Sequence, residues 1–113
     1  MDLGTHATEV ISEFSVAPAD LVLSRMHGLS PMAGTDLDPV LRNLGVSTLV
    51  VIGVSVNVAV TNLVMDAVNF GYQVVLARDA VAGVPASYAE SVIDNTLSLL
   101  ATVVTTAEIV AHW

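Results

Sequence analysis

The sequence predicts an α/β domain: a parallel sheet with helices layered on both faces, a three-layer α/β/α arrangement. Three observations lead there. Short apolar runs alternate along the chain with stretches of helical periodicity, and such alternation implies parallel strands joined by crossovers. The strongest run, Thr48–Val54, is apolar at successive positions beyond Leu49, as strands covered on both sides are. The chain has 113 residues, 54% of them apolar and 12% charged, a balance that favours a buried core over disorder. That length fits one domain. We therefore expect a single domain over residues 1–113, with an irregular lead-in over 1–20 and four strand–helix units over 21–113.

Leu21-Val22-Leu23 reads as the first strand, ending at Ser24-Arg25. Glycines and a proline mark His27–Gly34 as a loop. A helix then begins at Thr35 or Asp38; with Asp38 as cap, Pro39 takes the first helical position, where its missing N–H is harmless. Gly45 ends it. Thr48–Val54 is the second strand. Ser55 is a possible cap for the next helix, whose Val56, Ala59, Val60, Leu63, Val64 and Ala67 fall on one stripe before Gly71 stops it. Gln73–Ala77 is the third strand, ending at Arg78-Asp79-Ala80. Ser87 and Glu90 have capping-box spacing and open a helix carrying Val92, Ile93, Leu97 and Leu100. Thr102–Val104 is a short fourth strand, and Thr105 with Glu108 forms a second capping box before the last helix.

Composition excludes several functions. Eleven acids face three arginines and no lysine, for a formal charge of −8, so a nucleic-acid role is not expected. The first ten residues have no basic region and no apolar run, so they do not read as a signal. Asn43–Met65 is free of charge, but only 14 of its 23 residues are apolar; a buried strand and helix explain it better than a membrane span. A cytoplasmic protein is expected. The absence of cysteine removes disulfides, thiolate metal sites and thiol nucleophiles. His6, His27 and His112 are scattered, and no metal is expected. Neither a P-loop nor a dinucleotide glycine pattern occurs, so no cofactor is expected. Asp36 and Asp38 point to different helix faces, and the serines lack the context of a nucleophile elbow.

Ligands of open α/β sheets sit beyond the carboxyl ends of the strands. That rule selects Arg25, the Gly53–Asn57 turn and Asp79. The turn joins a buried strand to a helix N-terminus, where free N–H groups and the helix dipole suit an anion or oxyanion. Arg25 reads equally as a surface ion-pair partner, and Asp79 as a loop-bonding or capping residue.

The stretch Thr48–Thr61, continuing through Asp66-Ala67 and Gly71-Tyr72-Gln73-Val74-Val75 to Asp79-Ala80, resembles the isochorismatase-like hydrolases, the cysteine hydrolase superfamily. Asp20–Arg25, Gly34-Thr35-Asp36-Leu37, Leu41 and Leu44-Gly45-Val46 match the same pattern, so the resemblance extends from near Thr5 to the end. It implies a Rossmann-like, isochorismatase-type topology truncated at the N-terminus. It also implies a catalytic aspartate, lysine and cysteine, and none is intact here. Arg25 stands at the lysine position. Ala59, six residues after Gly53, stands at the cysteine position. The family's first strand and its aspartate have no counterpart, since Asp2 lies in no apolar strand.

What the resemblance leaves is the turn. It implies a cis peptide after the turn glycine and an oxyanion hole from the N–H groups of Ser55 and Ala59, with Arg25 and Asn57 as possible substrate contacts. Family members that hydrolyse vinyl ethers work by protonation without the cysteine, so Ala59 alone does not exclude hydrolysis. The missing aspartate removes the proton donor. The leading expectation is a degenerate or truncated member acting by binding or assembly. An active hydrolase of a small amide or enol ether completed by another chain, and an unrelated small-ligand-binding α/β domain, are the alternatives. A small carboxylate or amide is the expected ligand. A homo-oligomer or a complementary chain is expected as partner, because the missing strand would leave Thr48–Val54 as an apolar edge.

Overall fold

Parallel pairing of three strands organises the chain. The structure is a computed structural model that describes residues 15–25 and 28–113. Its elements are α1 (Leu37–Asn43), β1 (Thr48–Val54), a π-helical turn (Val56–Val60) running into α2 (Thr61–Asn69), β2 (Gln73–Ala82), α3 (Ala86–Asn95) with a 3₁₀ turn (Leu97–Leu99), β3 (Thr102–Val104) and α4 (Thr106–Ala111). The sheet order is β1-β2-β3, and both pairs are parallel. No helix among the described residues is long and apolar enough to cross a membrane.

Residues paired across parallel strands share a face. Leu49 and Val51 pair with Val74 and Leu76, and Leu76 pairs with Val103. This face meets α1, α2 and α3 in one core, where Leu76, Val64, Ile93 and Leu97 are fully buried and Leu37 and Leu41 of α1 pack at the margin. The opposite face carries Val50, Val75, Thr102 and Val104, and α4 lies over part of it through Ile109. Tyr72 locks the α2–β2 corner to α1. Its hydroxyl donates to the Asp38 carboxylate at 2.7 Å, and the Arg42 guanidinium lies 4.4 Å from its ring centroid, within cation–π range. Arg42 also donates to the Phe70 carbonyl.

Several expectations are corrected. Leu21–Leu23 is irregular rather than a strand, and Leu21 and Val22 are exposed; with no strand beside them among the described residues, three apolar residues cannot form a ladder. The described sheet therefore has three strands, not four. The third predicted strand continues through Arg78-Asp79-Ala80 to Ala82, because its pairing with β1 lapses and then resumes. Val51 pairs with Leu76, but Gly53 pairs with Val81. The helix expected to start at Thr35 or Asp38 has Asp36 at its N-cap, with Pro39 its third residue. Thr35 still assists, its hydroxyl accepting the Leu37 N–H at 3.2 Å. The Ser87–Glu90 capping box does not form, since α3 starts at Ala86 straight after Pro85 and Glu90 is drawn to Arg78 at 2.6 Å. The Thr105–Glu108 box does form. Finally, β1 is not covered on both faces: Val50, Ile52 and Val54 are 40, 55 and 72% exposed.

Leu76 sits where both strand pairs and the helix layer meet, fully buried. We expect Leu76→Ala to lower the unfolding free energy by about 2–5 kcal/mol, measured by urea denaturation; a loss well under 1 kcal/mol would mean that this core is not closed.

Candidate functional site

The turn at the carboxyl end of β1 is built by backbone chemistry. Gly53 has φ +126, a conformation open to glycine and costly for other residues. The Val54–Ser55 peptide is cis, as the resemblance implies. The Ser55 carbonyl then accepts the N–H groups of both Val58 (3.2 Å) and Val60 (3.0 Å). The bond from Val60 spans five residues, so the chain enters α2 through a wide π turn, a feature found often at functional sites. The Thr61 hydroxyl closes the turn on the Val56 carbonyl at 2.6 Å. Ala59 lies half-buried within it. Among the described residues the Ser55 N–H has no hydrogen-bond acceptor.

A side-chain relay holds the turn against the next loop. The Ser55 hydroxyl donates to Asn57 Oδ1 at 2.5 Å, and Asn57 Nδ2 donates to the Val84 carbonyl at 3.4 Å. The loop is there because β2 resumes pairing at Val81 and Ala82, opposite Gly53 and Val54, which returns Gly83 and Val84 to the turn. Contact is tight. A Cβ on Gly83 would sit 2.5 Å from Asn57 Oδ1, 2.9 Å from Val56 Cγ1 and 3.1 Å from the Ala89 Cβ.

The structure brings Ser55, Asn57 and Ala59 together in one turn. Arg25 donates to the Leu29 carbonyl at 2.7 Å and lines a groove with Leu21–Ser24, Pro31, Thr35 and Leu37; no turn residue lines that groove. Asp79 takes its capping role. It accepts the Thr106 N–H at 2.8 Å and the Thr106 hydroxyl at 2.7 Å, tethering α4 to β2, and these bonds lower its carboxyl pKa. His6, His27 and Asp2 lie outside the described residues, and His112 is exposed at the end of α4. No group of three metal-ligating side chains occurs among the described residues.

Two residues carry structural roles that sequence reasoning missed. Ser30 donates to Asp66 Oδ2 at 2.5 Å and accepts the N–H groups of Met32 and Ala33, pinning the 28–35 loop to α2. A serine before a proline was the only local sign. Gly83 matters through what it touches, which no local signal announces.

Fold and turn define a parallel α/β domain with its candidate site at the strand carboxyl ends. The chain belongs to the isochorismatase family: residues 1–108 match the Isochorismatase domain. It is similar to the isochorismatase family protein YwoC of Bacillus subtilis, 31% identical over 74 residues, a match covering 66% of this chain and 39% of YwoC. Among solved structures it superposes on an isochorismatase-like hydrolase from Alkaliphilus metalliredigens with TM-score 0.90 and 28% identity, covering 97% of this chain and 60% of that one. The N-carbamoylsarcosine amidase of Thermoplasma acidophilum matches with TM-score 0.78 and 31% identity over 90% of this chain and 57% of its own. The chain thus spans about two-fifths of its curated relative and about three-fifths of its structural neighbours.

The site yields two predictions. Gly83→Ala forces either the loop or Asn57 to move, at an expected cost of about 1–3 kcal/mol. In an Asn57→Ala background the cost falls, and a double-mutant cycle by chemical denaturation reads the coupling; strict additivity would remove Asn57 from the relay. Asp79 has a lowered folded pKa, against its ordinary 3.8. Its contribution is therefore present above roughly pH 4 and is lost as the pH falls through the lowered folded value. Amide hydrogen exchange of α4 reports its release on acidification; Asp79→Asn should abolish that acid step, and its persistence would assign the step elsewhere.

Proposed function

We propose that this chain is an isochorismatase-family domain without self-sufficient catalysis, acting by binding or assembly. The observation that carries this reading is Ala59. A methyl group occupies the π turn where the resemblance puts the nucleophilic thiol, and the sequence holds no cysteine and no lysine to replace the lost groups. Oxyanion donors and binding alone leave only weak residual catalysis when a nucleophile and its partners are removed. One structural neighbour is by name an amidase, so a small amide or carboxylate is the ligand class for the turn. The N–H groups of Ser55 and Ala59 would hold it, with Asn57 at the edge.

A second reading, a hydrolase completed by another polypeptide, is favoured by one observation: the π-helical turn is braced through Asn57 although the nucleophile position holds alanine.

The test is direct. Purified chain incubated with millimolar N-carbamoylsarcosine or pyrazinamide is expected to release no ammonia above the buffer control. Turnover above background that disappears in Asn57→Ala would overturn the non-catalytic reading.

A further inference from the structure

The pairing of β1 with β2 skips part of β2. Val51 meets Leu76, and an unbroken ladder would next bring Gly53 opposite Arg78 and Val54 opposite Asp79; instead Gly53 meets Val81 and Val54 meets Ala82. The skipped stretch, Ala77–Ala80, is gripped from both faces of the sheet. Successive strand residues point to opposite faces. Arg78 follows Leu76 toward the core face and pairs with Glu90 at 2.6 Å and with Asp94, both on α3. Asp79 points the other way and accepts the Thr106 N–H at 2.8 Å and the Thr106 hydroxyl at 2.7 Å. Thr106 follows β3, which lies on the side of β2 away from β1, so this tether draws Asp79 away from the β1 ladder.

We propose that Ala77–Ala80 is a register switch, and that Asp79 positions the turn at Ser55–Ala59 from a distance by holding β2 in its skipped register. The alternative is the unbroken ladder. The two registers differ by a displacement of three residues, an odd number, so they turn opposite faces of the end of β2 toward the core. In the observed register Val81 packs against the core and Ala82 is exposed. In the unbroken one Ala80 and Ala82 would take the core side and Val81 the other. The exchange sets one part-buried valine against alanines, so apolar burial separates the registers weakly. The bonds of Arg78 and Asp79 decide between them. Bulged strands beside functional sites commonly re-aim the chain in this way.

The consequence falls on the turn. A three-residue displacement moves the following backbone by about 10 Å along the strand. Gly83 and Val84 would then leave the turn, and the bond from Asn57 Nδ2 to the Val84 carbonyl, 3.4 Å in the observed register, would break. Asn57 would keep the Ser55 hydroxyl and lose its outer anchor. The coupling is reciprocal: a ligand that fixes the turn would strengthen the hold of Asp79 on Thr106. The switch acts on the turn whether the turn binds a ligand or serves a completed hydrolase, so it stands apart from both functional readings.

Nuclear magnetic resonance of the chain reads the switch without any ligand. Asp79→Ala is expected to speed hydrogen exchange of the Val60 amide, which the Ser55 carbonyl holds at 3.0 Å, by about fivefold or more. It should also shift the Asn57 side-chain amide signals and replace the cross-strand contact of Gly53 with Val81 by one with Arg78. Asp79→Asn keeps an acceptor for the Thr106 N–H and should give a smaller change in the same direction, which keeps the switch readable if Asp79→Ala does not fold. Tyr72→Phe is the control. It removes the 2.7 Å bond to Asp38, far from the skipped stretch, and should leave the Val60 and Asn57 signals in place. Unchanged Val60 and Asn57 signals in both Asp79 variants overturn the proposal. So does a Gly53–Val81 contact that survives in them, and so does an equal disturbance of the turn by Tyr72→Phe, which would reduce the effect to a general loss of stability.

Discussion

The break in the β1–β2 ladder is the constraint that shapes the whole site. Pairing runs in register from Thr48 and Gln73 to Val51 and Leu76, lapses, and resumes at Gly53 and Val81. The residues Ala77–Ala80 are thereby released from β1. Ala77 stays in the sheet by pairing with Val104. Arg78 is free to reach Glu90 and Asp94 of α3, and Asp79 to hold the start of α4. When pairing resumes, it delivers Gly83 and Val84 to the turn after β1. One local slip thus anchors two helices and braces the candidate site.

Electrostatics in this chain is a matter of backbone dipoles more than of ionised side chains. With eleven acids and three arginines, cations are scarce, and each arginine has a structural partner: Arg25 the Leu29 carbonyl, Arg42 the Asp38 carboxylate and the Tyr72 ring, Arg78 two carboxylates of α3. Those ion pairs are exposed, and such pairs contribute modestly; their value is in fixing which helix lies where. The turn itself offers backbone N–H groups at a helix start, set in direction by the π-helical entry into α2.

Most elements were legible because their signals are local. Thr48–Val54, Thr102–Val104 and the Thr105 cap stand where apolar runs and capping spacing put them. The failures share one cause. Leu21–Leu23 has the composition of a strand, but strand identity requires a neighbour to pair with. Ser87 and Glu90 have capping-box spacing, yet Pro85 starts the helix earlier and Arg78, twelve residues from Glu90, claims its carboxylate. The third strand looked finished at Ala77 because nothing nearby in sequence tells that β1 pairs again with Val81 and Ala82.

The candidate site divides along the same line. Sequence by itself determined what chemistry the chain lacks, since a missing cysteine and lysine cannot be restored by folding. It also placed the turn, because an apolar strand ending in Gly-Val-Ser before a helical stripe is a contiguous pattern. Only the tertiary structure decided which residues surround that turn. It brought in Gly83 and Val84 through resumed pairing, placed Arg25 on the Leu29 carbonyl, and left Val50, Ile52 and Val54 of β1 exposed. These outcomes depend on contacts between residues far apart in sequence, whose energies are set by register and packing rather than by any residue's own propensity.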